Sequence, residues 1–155
     1  MEKSIIIVGE GTALHLKDKL VEYMKEKGYN FIDATDGDMT YIEVGSTVGK
    51  AISEGKFDYG VVVCGSGMGV NLVANRFSGV YCGLCESLHT AKMARTITNC
   101  NVLAMGGNIV AYDLACRMLD AFVNAEFTEG FDSEMSDKLQ KFYDEMDAVD
   151  KETHK

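Results

Sequence analysis

The residues best placed to do chemistry are Cys64 and the glycine-rich stretch that follows it, CGSGMG at 64–69. Three valines at 61–63 predict a buried strand, and 70–76, which lacks Gly and Pro, predicts a helix. A strand, a glycine loop and a helix N-terminus together direct backbone N–H groups at an anion. That setting favours the thiolate of Cys64, a candidate base or nucleophile. The structural alternative is a small core cysteine followed by a tight turn.

Two further motifs could form a ligand-binding or metal-binding site. Gly65-Ser66-Gly67 opens a helix and Glu86 follows about twenty residues later, as in dinucleotide sites. The third glycine, however, is Gly69, which gives GxGxG instead of GxGxxG. Cys82 and Cys85 form a CxxC pair inside an apolar strand, where they would face opposite sides and lack a second pair for zinc. The remaining cysteines outside the loop are likewise predicted to be core residues: Cys100 and Cys116.

The three histidines show no spacing that predicts a metal site. His15 is expected on the surface of the first helix in a structural role, and His154 is expected to be solvated near the C-terminus. His89 lies near the start of a helix that should follow a strand, so it is the histidine most suited to contact a ligand.

Composition narrows the class of protein. The chain has 155 residues, enough for one domain, and a formal net charge of −9, which argues against nucleic-acid and anionic-membrane binding. It has no apolar run near 18 residues, and its first apolar stretch, 4–8, is too short for a signal peptide. Five cysteines without a framework spacing are typical of reduced thiols in a cytoplasmic protein.

The apolar pattern alternates between strand and helix periods. Strands are predicted at 4–8, 29–32, 59–64, 79–85 and 102–105, and helices at 13–27 (capped by Thr12), 41–53, 70–76, 88–98, 109–123 and 133–150. We therefore expect an α/β fold: a doubly wound, five-stranded parallel sheet with helices on both faces, plus a C-terminal helix. The expected division is a domain at 1–127 and a helical extension at 128–155. The loops 9–12, 65–69, 85–88 and 106–108 should meet in one site at the carboxyl edge of the sheet.

Longer motifs resemble a known family. The segments DYGVVVCGSGMG at 58–69, ANR at 74–76, TAKMAR at 90–95 and NVLAMG at 101–106 resemble the family that contains ribose-5-phosphate isomerase B and the galactose-6-phosphate isomerase subunits. The resemblance covers about residues 4–127.

This resemblance implies a Rossmann-like domain that forms a homodimer or higher oligomer, with sites across the interface. It also implies aldose–ketose isomerisation of a pentose or hexose phosphate, without metal or organic cofactor. Cys64 would move a proton through an enediolate, Ser66 would assist ring opening, and loop amides would hold the enediolate oxygens. The substrate-binding residues implied are Glu10, Gly11, Tyr41, Gly65, Gly67, Met68, Gly69, Glu86, His89 and Asn99.

The chain departs from the family at several positions. Family members usually carry Asp-His at Glu10-Gly11, His-Asn at Ile97-Thr98, Asp-Tyr-Pro at 40–42, and phosphate-binding Arg at Phe131 and Met135. Three explanations stay open. The enzyme acts on a different sugar phosphate, with His89, Glu10, Glu86 or Arg95 taking over roles. It is one subunit of a hetero-oligomer whose paralogous partner supplies the missing groups. Or it binds sugar phosphates without turnover.

Overall fold

The computed structural model describes residues 2–155 and has a five-stranded parallel sheet in the order β2-β1-β3-β5-β4. The strands are β1 Ile5–Gly9, β2 Phe31–Asp33, β3 Tyr59–Cys64, β4 Cys82–Leu84 and β5 Val102–Gly106. The helices are α1 Leu14–Lys27, α2 Tyr41–Ser53, α3 Met68–Ala74, α4 Leu88–Thr96, α5 Tyr112–Asn124 and α6 Ser133–Thr153. The predicted α/β architecture is confirmed.

The alternation of side chains along the central strands builds two core layers. Ile5, Ile7, Val61 and Val63 lie on the face covered by α1, α4 and α5, and their neighbours Ile6, Val8, Val62 and Cys64 lie on the face covered by α2 and α3. A strand that is apolar at every position is buried on both faces, as a parallel sheet requires. The sheet is therefore doubly wound, with Cys64 pointing to the α2–α3 side.

Glycines allow α2 and α3 to pack closely. A Cβ atom on Gly45 would lie 2.6 Å from Val73 Cβ, and one on Gly69 would lie 2.6 Å from the Tyr41 ring. Glycine lowers the intrinsic stability of a helix, and in α2 this loss is offset by the contact with α3. This contact fixes the helix that follows the Cys64 loop.

Some predicted boundaries are wrong. Thr12 does not cap α1: it lies in a 3-10 turn at Gly11–Ala13, and the N-cap position is Ala13. β4 is three residues long because Asn101 and Asn75 side chains hold the backbone at 79–82. α5 starts at Tyr112, since Ile109 and Val110 donate to Gly106 O in a turn.

The C-terminal helix α6 packs against the segment before β4. Asp150 accepts hydrogen bonds from Ser78 Oγ (3.0 Å) and Gly79 N (2.8 Å), and Asp147 accepts one from Tyr81 Oη (2.8 Å). The amino edge of the sheet is thereby covered near β4. No helix in the described part of the chain combines the length and apolar character needed to span a membrane.

Candidate active site

Cys64 ends β3, the central strand, at the carboxyl edge of the sheet. The residue is 5% exposed, and its Sγ accepts a hydrogen bond of 3.1 Å from the Gly67 amide. Gly67 has φ +79, a left-handed conformation that turns this amide back toward the thiol. An N–H donor directed at sulfur is a contact suited to a negatively charged sulfur atom.

The loops after β3 and β5 form one unit. Gly107 N donates to Cys64 O (2.8 Å) and Asn108 N donates to Gly65 O (3.0 Å). A Cβ atom on Gly106 would lie 2.7 Å from the carbonyl carbon of Ser66, so only glycine allows this approach. The backbone around Cys64 is therefore held by the neighbouring strand as well as by its own turn.

Polar side chains from two other loops surround Gly65. The Gly65 Cβ position lies 3.2 Å from Asn108 Nδ2 and 3.3 Å from Thr12 Oγ1, and Thr12 donates a 2.6 Å hydrogen bond to Glu10. Glu10 was predicted to bind substrate, and the structure brings it to the Cys64 loop. Thr12 and Asn108 were missed as site residues. Their positions could have identified them, because Thr12 and Asn108 belong to loops 9–12 and 106–108, which the predicted sheet placed at this edge.

Gly11 leaves an opening that an acidic side chain fills. A Cβ atom on Gly11 would overlap Asp38 Oδ1 and would lie 3.2 Å from its Cγ. Gly11 N also donates to Met39 O (3.2 Å), which ties the loop at 34–40 to the end of β1. The sequence offered no signal for Asp38, because the contact depends on how that loop folds.

The remaining loop residues line the α2–α3 side. Tyr41 stacks against Gly69, while Met68 is 56% exposed and points outward. Ser66 Oγ accepts from Met68 N (3.3 Å), whereas the Ser66 amide has no acceptor in the part of the chain described. Thus one amide of the loop holds the thiol, one is engaged by Ser66 and at least one is free for an oxyanion.

Glu86 and His89 lie at the same edge but farther out. Both follow β4, which is separated from β3 by β5, and both side chains are exposed. Two strand spacings amount to about 10 Å. Leu84 packs on Gly67, with its Cδ1 2.6 Å from the Cβ position of that glycine. Glu86 and His89 are therefore rim positions, and their substrate contacts stay a prediction.

Asn99 and Arg95 lie at the opposite edge. Asn99 precedes β5, and its Oδ1 accepts a 2.9 Å hydrogen bond from Arg95. Arg95 is 5% exposed and lies over the rings of Tyr59 (4.7 Å) and Phe122 (5.8 Å). Within one chain Arg95 cannot take over a role beside Cys64. Asn99, like Ile97, would reach such a site only in another subunit.

His15 lies closer to the site than its sequence position suggested. Its Nε2 is 2.8 Å from Gly107 O, and because a carbonyl only accepts, Nε2 carries the hydrogen. Nδ1 is then the free ring nitrogen. Lys17, on the same helix, is 3% exposed and pairs with Asp18 and Asp33; burial lowers its pKa, but these two carboxylates outweigh it and the net pKa is raised.

The other four cysteines lie outside the 64–69 loop. Burial raises the pKa of Cys85 to about 11 and also raises the pKa of Cys100 and of Cys116. Cys82 and Cys85 belong to opposite core layers, as predicted. Because these thiols stay protonated near neutral pH, they act as small core residues. In residues 2–155, no group of three or more His, Cys, Asp or Glu side chains is arranged to hold a metal ion.

Comparison with known proteins gives a consistent assignment. The model of the Ribose/Galactose Isomerase family matches residues 5–141. The chain is 30% identical to 4-deoxy-4-sulfo-D-erythrose isomerase of a Clostridium species, over 97% of this chain and 98% of that protein. It is 31% identical to D-erythrulose-4-phosphate isomerase of Pectobacterium atrosepticum, over 88% and 92%. The crystal structure of ribose-5-phosphate isomerase B from Mycoplasma genitalium with bound ribulose-5-phosphate superposes with a TM-score of 0.84 at 29% identity, over 96% of this chain and 97% of that one.

Proposed function

The chain belongs to the ribose/galactose isomerase family, and we propose that it is an aldose–ketose isomerase in which Cys64 is the base. The observation that carries this proposal is the 3.1 Å hydrogen bond from Gly67 N to Cys64 Sγ at the end of the central strand. It directs an N–H donor at the sulfur atom at the edge where the loops of β1, β3 and β5 meet.

The reaction is a proton transfer between neighbouring carbons. The Cys64 thiolate removes the proton from C2 of the aldose, the C–H electron pair forms the C1–C2 double bond, and the carbonyl pair moves to O1. The resulting enediolate takes the proton back at C1, which leaves the ketose. The free Ser66 amide can hold the developing oxyanion. The Glu10–Thr12 pair beside Gly65 can pass a proton between O2 and O1.

We propose a four-carbon sugar with an anionic group on C4 as the substrate. A tetrose closes a five-membered ring only through O4, so esterifying O4 with phosphate or replacing it with a sulfonate group keeps the sugar open. Such a substrate needs no acid for ring opening, in accord with Gly11 and Ile97 at positions where family members usually carry His. The Clostridium and Pectobacterium relatives are named for four-carbon substrates. This proposal replaces the pentose or hexose expected from the sequence.

The anionic end of the substrate would lie toward Asn108. Glu10 and Asp38 put negative charge on the β1–β2 side, while the Asn108 amide lies beside Gly65 on the β5 side. Lys17 is already paired with two carboxylates, and the Nε2 hydrogen of His15 is used by Gly107 O. Repulsion on one side and the Asn108 amide donor on the other would orient the sugar with its carbonyl above Cys64.

The test is isomerase activity measured by NMR in heavy water with D-erythrose 4-phosphate, D-ribose 5-phosphate and a hexose phosphate. We expect kcat/KM to be at least about tenfold higher for the tetrose, and deuterium to enter the product carbon. Cys64→Ala should lower kcat by about 10³-fold. Cys82→Ala, in an edge strand, is the matched control and should retain activity. Undiminished turnover by Cys64→Ala would refute the assigned base.

The same assay separates the two alternatives, and we favour a homodimer or higher homo-oligomer acting alone. Binding of the sugar phosphates without deuterium exchange would indicate a non-catalytic relative. Activity that appears only after a paralogous chain is added would indicate a two-component isomerase. Asn99 and Ile97 lie at the edge away from Cys64, so only a neighbouring subunit could bring these positions to a site.

A further inference from the structure

Asp38 places a carboxylate where Gly11 has no side chain. The overlap between Asp38 Oδ1 and the Cβ position of Gly11 means that the two positions compete for one volume. Gly11 follows the predicted substrate-binding residue Glu10 at the end of β1. The acidic group that fills the opening therefore belongs to the site, although it comes from the loop between β2 and α2.

The backbone on each side of Asp38 is held in place. After Asp38, Met39 O accepts from Gly11 N (3.2 Å), and Thr40 starts α2 through a capping box with Glu43. Before Asp38, Asp36 N donates to Met39 Sδ (3.2 Å), which closes the turn that contains Asp38. These contacts keep the carboxylate beside Gly11.

The Asp38 carboxylate is also free to accept. Within residues 2–155 it takes part in no hydrogen bond or ion pair, whereas Asp33 pairs with Lys17 and Glu43 is engaged by Thr40. Its exposed oxygens are thus available to a ligand. A carboxylate that accepts from a sugar hydroxyl makes a charge-assisted hydrogen bond.

The register of β1 and β3 brings the end of β1 next to the thiol. Gly9 pairs with Val63, so Glu10 follows at the level of Cys64, and Gly11 begins the turn just beyond it. Neighbouring strands are about 4.8 Å apart. A sugar with C1 and C2 over Cys64 would bring a hydroxyl of the next carbon to the Asp38 side.

We propose that Asp38 is a specificity-determining residue: its carboxylate accepts a hydrogen bond from a hydroxyl of the bound sugar in the volume left open by Gly11, and it repels the anionic terminus from that side. This inference rests on the proposed function. It deepens that function by stating how the site selects an open-chain sugar and which way round the sugar binds.

The experiment measures kcat/KM for D-erythrose 4-phosphate and the Kd of 4-phospho-D-erythronate, a four-carbon acid that cannot isomerise. Asp38→Ala should weaken both by about tenfold to a hundredfold, with the thermal midpoint unchanged. Asp36→Ala removes the same charge from an exposed position in the same loop and should change both by less than about twofold.

Gly11→Ala supplies an independent test through the shared volume. It should displace the carboxylate and weaken binding as much as Asp38→Ala does. In the Asp38→Ala background the same glycine substitution should have little further effect, because the obstacle is gone. Additive losses would show that the two positions are not coupled and would overturn the proposal.

The possible results distinguish the isomerase activity from the role of Asp38. Wild-type protein that binds the acid but turns over no sugar would refute the isomerase while leaving Asp38 testable by Kd. Normal turnover and normal Kd in Asp38→Ala would overturn the Asp38 assignment and leave the isomerase intact. Wild-type protein with neither binding nor turnover would overturn both.

Discussion

The two edges of the sheet are built from the same five strands but differ in chemistry. At the carboxyl edge, glycines bring the loops of β3 and β5 into backbone contact, and polar side chains stand around them with oxygens and nitrogens left free. At the amino edge, Arg95 lies buried between two rings and donates to Asn99 Oδ1 and Cys100 O. Helix α6 covers this edge near β4.

This difference separates positions for binding from positions for stability. A charged group that is enclosed by its own chain has little left to offer a ligand. At the other edge, the Cys64 and Glu10 side chains each accept one hydrogen bond, and that of Asp38 accepts none within residues 2–155. Substitutions at the two edges should therefore affect different measurements.

Gly67→Ala should damage the carboxyl edge in both stability and activity. The residue has φ +79, and a Cβ atom would lie 2.6 Å from Leu84 Cδ1 and 2.8 Å from the backbone of Met105. We expect about 3 kcal/mol lower unfolding free energy, measured in urea, and more than about a hundredfold lower kcat. Gly55→Ala is the control, because Gly55 has φ +69 but an added Cβ atom would meet nothing within 4 Å. We expect its unfolding free energy to fall by about 1 kcal/mol and its turnover to be unchanged. Equal effects in the two variants would contradict the packing argument.

Arg95→Ala should damage the amino edge in stability alone. The substitution removes two cation–π contacts and two hydrogen bonds from a site that is 5% exposed, so we expect the unfolding free energy to fall by about 2–4 kcal/mol. kcat/KM of the folded fraction should stay within about twofold. Lys92→Ala, exposed on the same helix, should cost less than about 0.5 kcal/mol. A loss of kcat/KM beyond the loss of folded protein would instead place Asn99 in a site shared between subunits.

His154 should make the attachment of α6 depend weakly on pH. Its Nδ1 faces Asp150 O and its Nε2 faces Arg76 O, both at 2.9 Å, and two carbonyl acceptors require both ring nitrogens to donate. These backbone hydrogen bonds, that to Asp150 first, raise the pKa of His154. Because the folded pKa exceeds the unfolded value of about 6.5, the stabilisation is complete below that pH and is lost as the pH rises through the folded pKa.

The measurement is an NMR titration of the His154 ring together with hydrogen exchange of amides 150–154. We expect faster exchange at high pH than the intrinsic rate predicts, and no such change in His154→Gln. Turnover should not follow this titration, because the helix end lies away from Cys64. An activity profile that tracks the His154 pKa would link the two edges.

The architecture and the centre of the site were predictable from the sequence because they depend on local patterns. The all-apolar strand 61–63 and the glycines after Cys64 predict both a buried parallel strand and an amide-lined turn. The strand–helix alternation then places the other loops at the same edge. These features are encoded within about ten residues each, so no long-range contact is needed to infer them.

The rest depends on contacts between distant segments. Thr12 has the residue type of a helix cap, yet its hydroxyl is taken by Glu10 and it lies against Gly65. β4 is shorter than its apolar run because the Asn75 and Asn101 side chains replace ladder bonds. His15 follows the helical pattern of a surface residue, and only the bond to Gly107 O reveals its place at the site. These contacts join residues between 2 and 92 positions apart, and each depends on how the intervening segment folds, which the apolar pattern does not specify.

The backbone pairing of 64–65 with 107–108 has a consequence for changing what this scaffold accepts. Backbone hydrogen bonds cannot be altered by exchanging side chains, and Gly67 and Gly106 leave no room for larger residues. The Cys64 loop, which we propose for the proton transfer, therefore tolerates little substitution. The segment 34–40 is hydrogen-bonded to residues 7–11 at the end of β1, and within residues 2–155 it makes no hydrogen bond to 64–69. To change the substrate to a longer or differently substituted sugar, residues 34–40 should therefore be replaced together with Gly11, while residues 64–69 are kept unchanged.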